Sequence, residues 1–327
     1  LAERATPVRV IAAQTQSVAP RIAGFGIVRP SRTYEAIAQV GGTVEHVNPE
    51  LKKGAILPAG SVLVRISPAD FKLAIAQADA NIRSAEARLS ELAVSERNQF
   101  AAMDIENEAL ALRAADLERT ETLFQNGTIS QTAVDTARTA HLAQRQKVQS
   151  LESALALMPT QRTVQTEQIA VYRATLETAK LNLARTELAL PFAARVASVS
   201  VEAGQFLRSG QTAAMLDGIE AGEVEAQVPI AALRNLLRST LSDPETVTLD
   251  PATMTEALRR LGLAAEVRLR LEDEVVSWPA TVDRISDTID QKSGTLGVIV
   301  RVETAYSGVE PGKRPPLTKG MFVEVSL

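Results

Sequence analysis

The sequence predicts an elongated α+β protein of several domains, in which a long antiparallel α-helical coiled-coil hairpin is inserted into a split β-domain and an antiparallel β-barrel follows. Three observations lead to this prediction. A heptad pattern of apolar residues fills the centre of the chain, two similar segments rich in valine and glycine flank it, and alternating strand-like segments follow from about Gly222. Only 3% of the 327 residues are aromatic, which favours a long helical element over one large core.

The central segment, residues 68–187, is predicted to form two helices of nearly equal length. Apolar or small residues recur there at alternating spacings of four and three, which is typical of a coiled-coil seam. The pattern is interrupted at Asn126-Gly127, residue types that tolerate a left-handed helix end, so the hairpin tip is predicted at 125–130. The seam residues include Phe71, Ile75, Ala78, Ile82, Ala85, Leu89, Leu92, Met103, Leu110, Leu117 and Phe124 in the first arm, and Val134, Ala137, His141, Gln144, Val148, Leu151, Leu155 and Met158 in the second.

Local signals mark the helix ends. Ser67 is predicted to cap the first helix, and Thr128 with Gln131, at capping-box spacing, is predicted to start the second. Pro159 lies inside the second arm, where a proline removes a backbone donor and costs about 3 kcal/mol. Because the seam keeps its phase beyond Pro159, we expect a kink or a short break there rather than the end of the coiled coil.

The segments on either side of the hairpin resemble each other. The stretch from Gly42 to Val47 precedes a pair of glycines, and so does the stretch from Ala194 to Val199. In each copy two valines stand three positions apart and two glycines six apart, which indicates small strands separated by glycine turns. Since the hairpin returns the chain to its starting point, residues 34–67 and 188–220 are predicted to complete one small β-domain. The glycines are Gly54 and Gly60 in the first copy and Gly204 and Gly210 in the second.

Alternating apolar residues after Gly222 predict the half-buried strands of an antiparallel sheet or barrel. The stretch around Gly24, Gly26 and Val28 has strand-like character and no local partner, so we expect it to pair with C-terminal strands. The barrel is therefore predicted to contain residues 16–33 and 221–327. Two helical interruptions are expected within it, one after Pro229 and one carrying Met254, Leu258 and Leu261.

Composition argues against several classes of function. The formal net charge of -4 gives no basic field for a nucleic-acid backbone. The chain has no cysteine, and its two histidines, His46 and His141, are far apart in sequence, so we predict no metal site, no cofactor and no catalytic residues. No apolar run reaches about 18 residues, so no bilayer-spanning helix is predicted.

In this order, the elements resemble the membrane fusion proteins, the HlyD-like family of periplasmic adaptors in tripartite efflux pumps. The resemblance covers nearly the whole chain. It implies that the split β-domain is lipoyl-like and that residues 1–15 are the remnant of a membrane-proximal domain that is otherwise missing. The motifs that carry it, besides the split halves, are Leu181-Asn182-Leu183-Ala184-Arg185-Thr186, Leu190-Pro191-Phe192-Ala193-Ala194-Arg195-Val196 and Gly320-Met321-Phe322-Val323-Glu324-Val325.

The resemblance also implies a channel-docking site at the hairpin tip. Adaptors that dock onto TolC-type channels share an Arg, a Leu four residues later and a Ser seven further on, which here are Arg119, Leu123 and Ser130, with Gly127 in the turn. Arg119 and Leu123 are i, i+4 neighbours on one helix face, and the turn brings the Ser130 hydroxyl beside them. Without the family pattern, the same residues would fit a surface charge, a core leucine and a helix cap.

The function that the resemblance implies is that of a non-catalytic adaptor in the periplasm, attached to the inner membrane through partners or through an anchor outside this chain. It would bridge an inner-membrane efflux transporter to a TolC-type outer-membrane channel and oligomerise into a funnel, as a hexamer. A transporter of the resistance-nodulation-division (RND) type is favoured, and an ABC-type efflux or type I secretion system is the alternative. A lipoyl or biotinyl carrier domain is a further alternative, although a carrier has its modified lysine where this chain has the hairpin.

Overall fold

The computed structural model describes residues 9, 21–240, 255–256, 258, 262–271, 274–290, 292–307, 309 and 314–327. Contacts divide the described residues into two compact units. The first unit contains most of the β-strands and lies within Leu1–Ala38, His46–Arg65 and Leu188–Leu327. The second unit contains the two long helices and lies within Gln39–Glu45 and Ile66–Glu187.

Two long helices form the predicted hairpin, α1 over Ala69–Gln125 and α2 over Gln131–Ala184. Their 57 and 54 residues correspond to about 85 Å and 80 Å at 1.5 Å per residue. Each helix buries only a narrow seam, because two helices alone leave most of each cylinder exposed to water. The buried residues are Ala78 and Ala85 on α1 and Val134, Val148, Leu155, Met158 and Ile169 on α2.

Polar side chains that cross between the helices define their register. Glu86 pairs with Arg173 at 3.1 Å, and Glu121 pairs with Arg138 at 2.8 Å, with the acid on α1 and the base on α2 in both cases. Because these pairs are largely exposed, each contributes at most about 1 kcal/mol, so they align the helices more than they stabilise them. Further cross-helix contacts are Glu96 with Arg162, Glu106 with Lys147, Gln144 with Glu106, and Gln165 with the Ala85 carbonyl.

One of the predicted helix ends is wrong. Ser67 does not cap α1, since the N-cap residue is Pro68 and no side chain makes a cap hydrogen bond there. The backbone N–H of Ser67 donates to the Thr43 carbonyl at 2.8 Å. The helix α2 continues through Pro159, as expected from the phase of the seam, and without the short break that was one of the two expectations there. Met158, the residue before this proline, is buried in the seam, so packing offsets the missing backbone hydrogen bond.

Short strands lie on both sides of the hairpin in the chain. Those before it are β1 (Ala23–Pro30), β2 (Thr33–Ile37), β3 (Gly42–Val47), β4 (Ile56–Leu57) and β5 (Val62–Ile66), and those after it are β6 (Glu187–Ala189), β7 (Ala194–Val199), β8 (Phe206–Leu207) and β9 (Thr212–Gly218). One four-stranded sheet has the order β2-β9-β7-β4, and another has the order β6-β5-β3-β8.

Strands from the two halves pair with each other, as the sequence repeat predicted. In the first sheet β4, from before the hairpin, pairs antiparallel with β7, from after it, and Ile56 lies opposite Arg195. Strand β2 pairs antiparallel with β9. The four glycines of the repeat all have φ between +81° and +89°, so they form the predicted turns.

Six strands close into a barrel in the order β1-β10-β13-β12-β11-β14. The additional strands are β10 (Gly222–Pro229), β11 (Ala264–Leu271), β12 (Glu274–Asp290), β13 (Thr295–Val302) and β14 (Phe322–Ser326). As expected, the N-terminal β1 pairs with C-terminal strands, namely β10 and β14. A Cβ atom on Gly26 would lie 2.3 Å from the Glu225 carbonyl oxygen, so only glycine permits this close approach of β1 to β10. Trp278 on β12 is fully buried in the barrel core.

The fold class predicted from the sequence is confirmed by the helical hairpin, the strands that flank it and the barrel. The helix predicted after Pro229 is α3, Ile230–Thr240, which buries Leu233 in the barrel core. The second predicted helical segment lies outside the described residues around Met254 and Leu261, although Leu258 is buried in the barrel core. The predicted domain remnant, residues 1–15, also lies outside the described residues except for Arg9.

The other domain boundaries drawn from the sequence stay predictions. Among the helices in the described parts of the chain, we find none that combines the length and the apolar character needed to cross a membrane.

Candidate docking site at the hairpin tip

The turn between α1 and α2 is closed by backbone hydrogen bonds and by one glycine. Gly127 has a φ of +73°, in the left-handed region predicted there. Its N–H donates to the Phe124 carbonyl at 2.8 Å, and the N–H of Thr128 donates to the Leu123 carbonyl at 3.0 Å. The Thr128 hydroxyl donates to the same Leu123 carbonyl at 2.9 Å. Thr128 therefore completes the end of α1, and the capping box predicted for it with Gln131 is wrong.

Arg119 and Leu123 lie one helical turn apart near the end of α1. The Arg119 side chain is 69% exposed. Leu123 is 40% exposed, whereas a leucine is more often buried. The guanidinium Nη2 of Arg119 donates to Oδ1 of Asp116 at 3.2 Å. Because this pair is exposed to water and salt, it is weak, and the guanidinium can exchange Asp116 for an acceptor on another molecule.

Ser130 stands on the other side of the turn, immediately before α2. It occupies the N-cap position with extended backbone angles, φ -83° and ψ 156°, yet its hydroxyl makes no capping hydrogen bond. The residue is exposed. Its hydroxyl can therefore both donate and accept hydrogen bonds with another molecule.

Sequence reasoning did not assign two residues of the tip. Phe124 was placed on the seam, but it is 40% exposed and adds apolar surface next to Leu123 in the chain. The signal was available, because Phe124 is the last seam position before the turn, where few residues of the partner helix remain to cover it. Asp116, which holds Arg119, could have been recognised from its spacing three residues before that arginine.

The tip is suited to binding another protein. Arg119 provides several donors in a planar fork, Leu123 provides an apolar side chain, and Ser130 provides a small polar group. All three are exposed, whereas acid–base catalysis needs a sheltered cleft that shifts pKa values. Across the described residues, no group of three or more His, Cys, Asp or Glu side chains is placed to hold a metal ion.

The chain is similar in sequence to two multidrug resistance proteins. It is 24% identical over 210 residues to multidrug resistance protein MdtA of Photorhabdus laumondii, which covers 64% of this chain and 41% of that protein. It is 28% identical over 192 residues to multidrug resistance protein MdtN of Shigella flexneri, which covers 53% of each. The chain thus spans about half the length of the curated relatives it matches. No protein-family model matches it.

Two solved structures have a similar fold. Over 94% of this chain and 78% of the other, the fold is similar to MacA from Actinobacillus actinomycetemcomitans, with a TM-score of 0.55 and 16% identity. Over 94% and 97%, respectively, it is similar to the membrane fusion protein Spr0693 of Streptococcus pneumoniae R6, with a TM-score of 0.53 and 12% identity.

A helical hairpin inserted between paired β-segments and followed by a six-stranded barrel is the fold that the sequence predicted, and it is similar to the fold of the membrane fusion protein Spr0693. These similarities in sequence and in fold agree with the resemblance of the chain to the membrane fusion proteins.

Proposed function

We propose that this chain is a non-catalytic periplasmic adaptor that connects an inner-membrane efflux transporter with a TolC-type outer-membrane channel. The observation that carries the proposal is the hairpin tip, where Arg119, Leu123 and Ser130 are all exposed around a turn that Gly127 closes. Both arms of the hairpin are continuous helices, so the tip is presented at the end of a rod about 85 Å long.

Docking would combine three kinds of contact. The Arg119 guanidinium would leave Asp116 and donate hydrogen bonds to carbonyl or carboxylate oxygens of the channel. Leu123 and Phe124 would be covered by apolar side chains of the channel, which removes their exposed surface from water. The Ser130 hydroxyl, which makes no cap hydrogen bond, would form a hydrogen bond across the interface.

The full proposal includes attachment to the inner membrane and self-association into a funnel of six copies. Contacts between two different surfaces of neighbouring copies, closed by rotation, produce such a ring, whereas an isologous contact stops at a dimer. We favour an RND-type transporter as the inner-membrane partner. The names of the curated relatives, multidrug resistance proteins, support a role in multidrug resistance.

The docking proposal is tested by charge reversal at the tip. We expect Arg119→Asp to weaken capture of the chain by an immobilised TolC-type channel by about 30-fold or more, because loss of an arginine hot spot costs about 2 kcal/mol or more. Arg88→Asp is the matched control, because Arg88 is an exposed arginine on the same helix, 38 residues before the C-cap residue Asn126.

Helical circular dichroism should be unchanged in both variants, since both side chains are exposed. Equal capture of the Arg119→Asp variant and the wild-type chain would overturn the docking role of the tip.

The transporter partner can be identified by co-purification from membranes. Recovery of an RND-type transporter with the adaptor is the expected result, and recovery of an ABC-type transporter would replace that assignment. Intact-mass measurement of the purified chain tests the carrier alternative, since a covalent lipoate or biotin would support it and an unmodified mass is expected.

A further inference from the structure

Two neighbouring side chains of the barrel each bury an N–H donor that has no acceptor in the described structure. The indole Nε1 of Trp278 is buried without a hydrogen-bond partner, and so is the guanidinium Nε of Arg314. The guanidinium carbon of Arg314 lies 5.6 Å from the centroid of the Trp278 ring. Buried donors are nearly always hydrogen-bonded, because a donor that leaves water without an acceptor is costly. Two such donors in one place indicate that a further molecule supplies the acceptor.

The fold holds both side chains in place. Trp278 on β12 lies opposite Val267 of β11 and is fully buried. Arg314 is followed by two prolines and then by Leu317, which is 1% exposed and whose N–H donates to the Ala305 carbonyl at 2.8 Å. Prolines fix their own φ and restrict the residue before them, so the buried Leu317 keeps Arg314 beside the barrel core.

The positive charge of Arg314 also lacks a counter-ion. Arg268, Arg284 and Arg301 on the barrel strands each pair with a carboxylate. Among the described residues no carboxylate pairs with Arg314, although this arginine is half-buried. The Trp278 ring attracts the guanidinium through its π electrons, but the indole provides no acceptor oxygen for the buried N–H groups. A half-buried cation of this kind favours a ligand that brings negative charge.

The nature of the two donors favours an anion over a water molecule. The side chains of tryptophan and arginine donate hydrogen bonds and accept none. A water molecule that accepted from both would still need acceptors for its own two hydrogens. A carboxylate has no hydrogen to place, offers one oxygen to each donor and supplies the missing charge. A phosphate carries more acceptor oxygens than these two donors can satisfy.

We propose that Trp278 and Arg314 form a binding site for the carboxylate group of a small organic acid. One carboxylate oxygen accepts from Nε1 of Trp278 and the other accepts from Nε of Arg314, and the half-buried Arg314 side chain leaves the site open to solvent on one side. The inference goes beyond the proposed adaptor function, because it gives the barrel a ligand that docking at the hairpin tip does not require. The bound acid stabilises the barrel, since only the folded chain brings the two donors together.

The single tryptophan allows a direct test by NMR spectroscopy. A chain labelled with ¹⁵N gives one indole N–H resonance, which belongs to Trp278 and reports the hydrogen bond of Nε1. We expect sodium acetate to shift this resonance with a saturable dependence on concentration, and sodium chloride at the same ionic strength to give no saturable shift. Absence of a saturable shift with acetate would overturn the proposal, and it is the result expected if bound water already satisfies both donors.

Acetamide is the matched control for the charge of the ligand. It has nearly the same shape as acetate and a carbonyl oxygen, but no negative charge. We expect acetate to bind about tenfold more tightly than acetamide, because hydrogen bonds to charged groups are stronger. Equal affinities for acetate and acetamide, or equal saturable shifts with acetate and chloride, would contradict a carboxylate site.

Arg314→Gln tests the contribution of the arginine, because it replaces the charged guanidinium with a neutral amide. We expect the Kd for acetate to rise about tenfold or more. Arg270→Gln is the matched control, since Arg270 is on β11 of the same barrel, its side chain is 77% exposed, and it pairs with Glu324. Its Kd should equal that of the wild-type chain. An equal loss of affinity in the two variants would assign the effect to the overall charge of the barrel and overturn the site.

Arg314→Lys separates the geometry of the site from its charge. Lysine keeps the positive charge but lacks the planar guanidinium and its Nε–H. We expect a Kd between those of the wild-type chain and the Arg314→Gln variant, and full retention of affinity would contradict donation from Nε. The indole resonance before titration checks that each variant keeps the barrel folded. If a variant does not fold, the wild-type titrations with acetate and acetamide still decide the proposal.

Discussion

The helical hairpin and the barrel bury their apolar side chains in opposite ways. The hairpin extends for more than fifty residues in each arm, yet its buried residues form a single narrow seam. The barrel strands are no longer than 17 residues, but they close on one another around a core that includes Trp278 and Leu296. A seam is exposed to water along its whole length, whereas the side chains of a closed barrel are surrounded on all sides.

This difference predicts in which region the loss of a buried side chain lowers the stability more. In a seam each side chain packs against few neighbours, and the helices can shift slightly to fill a gap. In the barrel a gap is enclosed by strands that hydrogen bonding holds in register, so it cannot collapse as easily. The chain offers a separate probe for each region, because its one tryptophan, Trp278, is buried in the barrel and the two long helices dominate the circular dichroism.

The largest effect is expected for Leu296→Ala in the barrel. Leu296 on β13 is 5% exposed, and we expect the change to cost about 3–4 kcal/mol in the free energy of unfolding, from lost burial and an enclosed cavity. Denaturant unfolding followed by Trp278 fluorescence measures the cost. Leu271→Ala is the control, since Leu271 is 42% exposed, and its cost should stay below about 1 kcal/mol.

The same chemical change in the hairpin should cost less. Leu155 on α2 is 9% exposed, and we expect Leu155→Ala to cost about 2 kcal/mol, at the low end for such substitutions, because the seam can relax. Thermal unfolding followed by helical circular dichroism measures it, and Leu157→Ala, at 60% exposure, is the control. If Leu155→Ala cost more than Leu296→Ala, the contrast drawn between seam and barrel would be wrong.

A smaller effect is expected at the hairpin turn. Gly127→Ala should cost about 1 kcal/mol, because φ is +73° and an added Cβ would contact no other atom, so the cost is backbone strain alone. Gly127→Asn should cost less, since asparagine tolerates the left-handed region. Helical circular dichroism during thermal unfolding compares the two variants, and equal stabilities would argue against strain as the cause.

The smallest effect concerns pH and is confined to the barrel. A hydrogen bond from Ser277, followed by one from Arg268, lowers the pKa of Glu266 on β11 below its ordinary value. A carboxylate with a lowered folded-state pKa contributes stability above its unfolded-state pKa, and that contribution is lost as the pH falls through the folded-state pKa. Glu266→Gln should therefore lower barrel stability slightly at neutral pH.

The difference from the wild-type chain should shrink in acid, as Trp278 fluorescence can follow. A constant difference from neutral to acidic pH would assign the effect to packing.

Much of the hairpin could be predicted because its physics is local and periodic. The seam spacing and Asn126-Gly127 were enough to place both helices and the turn. The detailed caps could not be read in the same way, because the Thr128 hydroxyl has a competing partner in the Leu123 carbonyl and α1 begins one residue later than a Ser67 cap requires. The same limit applies at the docking site, where Arg119, Leu123 and Ser130 were assigned by resemblance, while Phe124 was placed on the seam although it is 40% exposed in the structure.

The sequence by itself determined the two long helices and most of the strands, because apolar periodicity of 3.5 or 2 residues decides which face of each element is buried. It also determined the pairing of the two β-halves, since the repeat of valine and glycine spacings encodes two matching sets of strands. Only the tertiary structure decided which strands are neighbours in the barrel and that β12, with Trp278, completes it. Strand order and closure depend on hydrogen bonds between residues distant in the chain, and no local pattern records them.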